Sequence, residues 1–202
     1  MYTTLQQLKA YVLPKPVQTR TDYDAALQDI GNGIAERFNT HCDRELLRGD
    51  YTDTIAGDRR IHVLRAYPVE EITTVETRGD YGDAWSAESE MIDRLSEESG
   101  LVELALSDFG VGAQLRLNYT GGYWVDLTGS DTLPSGATPM PADLRLAWLN
   151  QCKHIFDLLD KDGDSFRGAD RGLGGALVSL IGIDLLSSVE ATLRKYKRYQ
   201  II

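Results

Sequence analysis

The chain is poor in cysteine, histidine and long apolar runs, and each shortage removes a class of protein. Its two cysteines, Cys42 and Cys152, lie far apart in the sequence. One pair is not a disulfide framework, and two reduced, half-buried thiols in a cytoplasmic protein are expected. No stretch approaches the roughly 18 apolar residues that span a bilayer. The longest, Ala176 to Leu186, is broken by Ser179, Gly182 and Asp184. The opening MYTTLQQLKAYVL lacks the basic start and apolar run of a signal peptide. Positive charge is also short. Lys and Arg number 21 against 31 Asp and Glu, a net charge of −10. That balance argues against a broad basic surface gripping nucleic acid through its phosphates.

What is present is enough chain for a core. The 202 residues favour one domain, or one domain with a small appendage. Helical ends flank a β-rich middle. A short helix is expected over Thr4 to Leu13, stopped by Pro14 and Pro16, which lack the amide proton a helix interior needs. A longer one starts at a Thr21 cap with Asp24 three residues on. Tyr23, Leu27, Ile30, Ile34 and Phe38 give it one apolar face, and it is expected to fray near Leu46 to Gly49. Gly31 and Gly33 inside it mark close packing against a neighbour.

From Tyr51 the period changes to two. Arg60 to Leu64, Ile72 to Thr77, Leu101 to Leu106 and Gln114 to Tyr119 read as strands, with Asp80 to Asp83 as a turn. Leu115, Leu117 and Tyr119 alternate with Arg116 and Asn118, so one face is buried and one wet. An antiparallel meander or small barrel follows, since no crossover helix separates the strands. Glu88 to Ser99 reads as an acidic loop or short helix. Thr128 to Pro141 is a polar loop, and Ala142 to Asp160 is a second strong helix. The last helix, about Asp184 to Tyr199, has a capping box in Ser187 and Glu190. The fold class is therefore α+β: a helical body with an antiparallel β insertion and a C-terminal docking helix. Its parts are the N-terminal body helices (1–50), the β insertion (51–127), a loop and body helix (128–160), a Gly/Asp-rich hinge (161–183) and the docking helix (184–202).

No catalytic or metal-binding set emerges, and no cofactor is expected. Asp160, Asp162 and Asp164 have the spacing of a calcium loop, but Ser165 replaces the turn glycine and Arg171 stands where the bidentate glutamate belongs. A solvated acidic loop is the better reading; a calcium-responsive module is the alternative. Gly163 to Phe166 has a serine-hydrolase look, but Ser165 lacks the strand-to-helix turn. No local pattern selects a base among His41, His62 and His154. Cys152 and His154, two apart on a helix, point about 200° apart and do not share a metal. The last turns, with Arg194, Lys195, Lys197 and Arg198 in an acidic chain, suit docking to an acidic partner.

The ordered motifs resemble one family. Asp22 to Leu27 continues through Ile34 to Phe38 and Cys42 to Leu46. Next come Arg60 to Leu64 and the bend Tyr67-Pro68-Val69 leading into Ile72 to Val75. Then comes Leu115 to Tyr123, ending Tyr119-x-Gly121-Gly122-Tyr123, and after a loop Pro141-x-Asp143-Leu144 opens a helix. With the closing Leu185 to Tyr199, this resembles the head–tail connector, or adaptor, proteins of tailed bacteriophages and related particles, gene transfer agent adaptors included. The sequence departs from the family pattern in a longer acidic segment, Asp80 to Gly100, and in the 160–175 loop.

The resemblance implies a non-enzymatic ring, typically of twelve copies, in the virion neck. That ring is assembled in the host cytoplasm and seated on the portal ring. It extends the channel through which DNA passes without specific binding and meets a stopper or tail-completion protein; a stopper or tail-terminator role is the alternative. No membrane partner is implied. Carried over by residue, Leu185, Leu186, Val189, Leu193 and Tyr196 supply apolar portal-docking area. Arg194, Lys195, Lys197 and Arg198 supply charge, with Tyr199 closing the segment.

Overall fold

A computed structural model describes residues 1–57, 59–88, 92–105, 113–128, 132–161 and 184–198. The fold is mixed α+β. The chain divides into a helical unit (1–42, 125–132, 140–197) and a β unit (43–124, 133–139, 198–202). The calcium-like string from Asp162, Ser165, the expected hinge from 162 to 183 and Tyr199 all lie outside the described residues, as does the side chain of Asp160.

The helical unit begins with α1 (Leu5–Val12), whose first turn is capped by the Thr4 hydroxyl accepting the Gln7 N–H at 3.2 Å. After a single 3-10 turn (Lys15–Val17), α2 spans Asp24–Cys42. Asp24 is its first residue, and its carboxylate takes the Lys9 ammonium at 2.5 Å. The expected face is buried: Leu27, Ile30, Ile34 and Phe38 are all at most 3% exposed. The helix ends four residues earlier than its apolar pattern suggests, because Asp43 takes a positive φ of 53° and turns the chain away. Leu46 is fully buried and belongs to the β unit instead, and Gly49, read as a helix stop, opens the first strand.

Helix α3 (Ala142–Lys161) packs on α1 and α2. Trp148 anchors it, fully buried, with its indole N–H donated to the Gly31 carbonyl at 3.1 Å and its ring stacked on Tyr2. A Cβ on Gly31 would meet that indole at 3.0 Å, whereas one on Gly33 would meet nothing within 4 Å. Only Gly31 marks close packing. Gly33→Ala is therefore expected to stabilise the unit by about 0.5–1 kcal/mol and Gly31→Ala to destabilise it, read as opposite shifts of a thermal melt. Cys42 and Cys152 are reduced and fully buried, deeper than the half-burial expected. Burial raises the Cys152 thiol well above its ordinary range.

The β unit holds two antiparallel sheets. The larger has the order β1 (Gly49–Ala56), β7 (Gln114–Gly121), β3 (Val69–Arg78), β4 (Ser86–Ala87). The smaller runs β2 (Ile61–Val63), β6 (Leu101–Leu104), β5 (Ile92–Ser96). This is not a meander: β7 returns from far along the chain to insert between β1 and β3. The segment read as loop or short helix contains β5, because Ile92 and Leu95 face the core while Asp93 and Arg94 face solvent. The polar loop after Thr128 contributes β9 (Thr138–Pro139), which pairs in parallel with β8 (Tyr123–Trp124), a connection that local alternation does not announce. Leu115, Leu117 and Tyr119 are buried at 0–1% and centre the core with Leu64, Val102 and Leu104.

Candidate docking site

The C-terminal segment is shorter as a helix than its periodicity implies. The helix α4 covers Ser187–Leu193, one 3-10 turn covers Arg194–Tyr196, and Lys197 is extended. Leu186, not a serine, stands at the N-cap, with no side-chain cap bond. Its apolar residues are used internally: Leu185, Val189 and Leu193 are at most 9% exposed within the helical unit. Leu186 and Tyr196 are half-buried, and Arg194, Lys195 and Lys197 are exposed. The expected apolar docking area is thus largely core, because a short amphipathic helix buries its stripe against the nearest helices.

Two polar clasps hold the segment down. Gln151, fully buried on α3, accepts the Leu186 N–H at 2.9 Å and donates to the Asp184 carbonyl at 3.3 Å. Asp143, in the first turn of α3, accepts the Tyr196 hydroxyl at 2.5 Å and the Lys195 ammonium at 3.4 Å. It also accepts its neighbour's N–H, from Leu144, at 2.9 Å. These donors, Tyr196 first, hold the Asp143 carboxyl below the usual aspartate range. A depressed folded-state pKa contributes stability above the ordinary value of 3.8, lost as pH falls through the folded value. Asp143→Asn is expected to cost the helical unit about 1 kcal/mol at pH 7, with the difference vanishing in strong acid, measured by urea unfolding at several pH values. Pro141 precedes α3, and its carbonyl accepts the Arg145 N–H. Leu144 is fully buried.

A cation cluster gathers where the segment meets the end of α2. The Cys42 thiol donates to the Leu193 carbonyl at 3.7 Å, fixing Arg194 beside the last turn of α2. There Arg37 and His41 lie one turn apart. Burial lowers the His41 pKa, and Lys197, Arg194 and Arg37 push it further down against the opposing charge of Glu190. Among the described residues, the buried His41 Nε2 has no hydrogen-bond partner. Sequence reading placed only the segment's own cations; Arg37 and His41 join them because α4 packs on α2.

The motif residues of the β unit form a clasp. The Gly122 N–H bonds the Pro68 carbonyl and the Tyr123 N–H bonds the Leu46 carbonyl, each at 2.8 Å. The Tyr67–Pro68 peptide is cis, and Val69 is buried and starts β3. A Cβ on Gly121 would lie 2.7 Å from the Ala66 oxygen. The buried Tyr119 hydroxyl accepts the Ala66 N–H at 3.0 Å and donates to Asp53 at 3.1 Å. Burial, then the Asp53 charge, raises its pKa. The Arg44 guanidinium, 5% exposed, lies 3.2 Å from the Tyr67 ring centroid and 5.4 Å from that of Tyr123. From Asp43 to Pro139 every Lys or Arg position is arginine. Several show why a planar fork is needed: Arg48 grips Glu70 through two bonds at 2.6 and 3.0 Å, and Arg116 bonds Glu76 while lying over Trp85. Arg198 belongs to this unit, donating to the Val63 carbonyl.

The acid is unevenly placed. The β unit carries 17 Asp and Glu against 9 Lys and Arg, net −8, and the helical unit 14 against 12, net −2. Most of the charge lies in the β unit, not along the helical body. No helix among the described residues is long and apolar enough to cross a membrane.

No family model matches the chain, and no curated protein matches it in sequence. Solved structures do match its fold. A chain from the virion of a native gene transfer agent particle is similar, with a TM-score of 0.67 and 12% identity, over 100% of this chain and 92% of that one. A chain in the neck of an empty gene transfer agent particle, with C6 symmetry, gives 0.66 at 12% identity over the same shares. A chain in the neck of the native particle, with C12 symmetry, gives 0.59 at 13% over 96% and 92%. The α+β fold described above is thus one also found in chains of gene transfer agent particles and their necks.

Proposed function

We propose that this chain is a structural head–tail connector of a tailed phage or phage-like particle. It forms a ring in the neck, under the portal, that continues the DNA channel and carries the tail. The supporting observation is the full-length correspondence of fold with chains of gene transfer agent virions and necks, over 100% of this chain. The motif order that resembles the connector family agrees with it. The segment 184–198 seats the ring on the portal through its exposed side, with Leu186 and Tyr196 as apolar contacts and Lys195 among its charges. The ring works by packing and charge, without catalysis. An excess of carboxylates suits a conduit, because a negative wall repels phosphates and lets DNA slide.

Omitting the chain from an assembling particle system tests this reading. DNA-filled heads without tails are the expected product, seen by electron microscopy. Normal tailed particles would overturn it.

A further inference from the structure

The charge distribution points to how copies would join. A cyclic ring of more than two copies needs a heterologous contact, in which two different surfaces of the same chain meet around the ring. This chain carries two surfaces of opposite sign. On the helical unit, Arg37, Arg194 and Lys197 gather near His41 where α4 packs on α2, with Glu190 an opposing carboxylate and Asp184 paired to Arg37 at 3.9 Å. On the β unit, Asp53, Glu70, Glu76, Asp93 and Glu103 are matched by arginines. Glu97 and Glu98, in the turn between β5 and β6, are exposed and form no ion pair among the described residues. Glu71 is also exposed, two residues from Val69, whose N–H bonds the Glu97 carbonyl.

We propose, on the reading of the chain as a ring subunit, that the exposed Arg194 and Lys197 of one copy receive Glu71, Glu97 and Glu98 of the next. Arg194 and Lys197 then serve the seam between copies, leaving Lys195 and the apolar side of the segment to the portal. Such pairs contribute register and association rate more than affinity, and salt weakens them.

Two charge-reversed chains provide the test: Arg194→Glu with Lys197→Glu, and Glu97→Lys with Glu98→Lys. All four positions are exposed, so melts matching the unaltered protein are expected. By sedimentation velocity at low ionic strength, the unaltered protein is expected to self-associate and to disperse as salt is added. Each reversed chain alone stays monomeric, and an equimolar mixture regains association, because each then offers what the other lacks. Association that ignores the reversals, or a mixture that stays monomeric, would overturn the seam. An unaltered protein that remains monomeric at low salt would also overturn it. That result would leave the connector reading standing, since the particle phenotype decides it separately.

Discussion

Gly122→Ala is expected to cost about 3–5 kcal/mol and to unfold the β unit at moderate temperature. The residue sits at φ +91°, a conformation that alanine adopts only with strain of about 1–3 kcal/mol. The added methyl has nowhere to go. It would lie 2.6 Å from the Leu47 carbonyl carbon and 2.9 Å from the Arg48 nitrogen. Both are backbone atoms, held by the Arg48 N–H to Tyr123 carbonyl bond and the Tyr123 N–H to Leu46 carbonyl bond. Relief would break the clasp joining the Gly121-Gly122-Tyr123 strand end to the chain before β1. Since a whole domain is worth roughly 5–15 kcal/mol, this one methyl removes a large share. Gly82→Ala is the control: a Cβ there meets nothing within 4 Å, and a change below about 0.5 kcal/mol is expected. Denaturant unfolding followed by tryptophan fluorescence separates the two outcomes.

The second large effect follows from the burial of the C-terminal segment. Deleting residues 184–202 is expected to unfold the helical unit, not merely to undock it. Leu185, Val189 and Leu193 are buried, and each contributes about 1.5–3 kcal/mol on folding. Gln151 would lose both backbone partners while its amide stays enclosed, at a further cost of about 1–3 kcal/mol. The sum rivals the stability of an ordinary domain. Tailless particles from that deletion would therefore report misfolding. Docking is tested instead by exposed point variants such as Lys195→Ala, expected to change stability by less than about 1 kcal/mol while weakening attachment to the portal. Circular dichroism of the truncated chain checks the prediction: a retained cooperative helical melt would contradict it.

These two sites show where a sequence is informative. The Gly-Gly pair and the Tyr-Pro-Val bend were visible as motifs, yet their purpose was not. It depends on which backbone lies against them, and the insertion of β7 between β1 and β3 decides that. The faces of α2 and α3 and the alternation along β7 were readable because one-sided burial writes a period into the residues. The segment holding β5 was not, since its two inward residues are separated by charged ones among many carboxylates. In the C-terminal segment the apolar period is legible, yet Leu185, Val189 and Leu193 are buried within the helical unit itself. Amphipathicity says that a stripe is buried, and cannot say whether the chain itself or another protein buries it. Arg44 and the Arg37–His41 pair left no local signal, because tertiary packing assembles both sites. The acidic balance was plain from composition; its concentration in the β unit needed the division of the chain into units.

The most direct test of the connector role is a reconstruction of the neck of the particle that carries this chain. A ring of copies is expected between portal and tail, with segment 184–198 directed at the portal and DNA density passing along the axis. Finding the chain in the capsid shell or the tail tube, or absent from the neck, would contradict it.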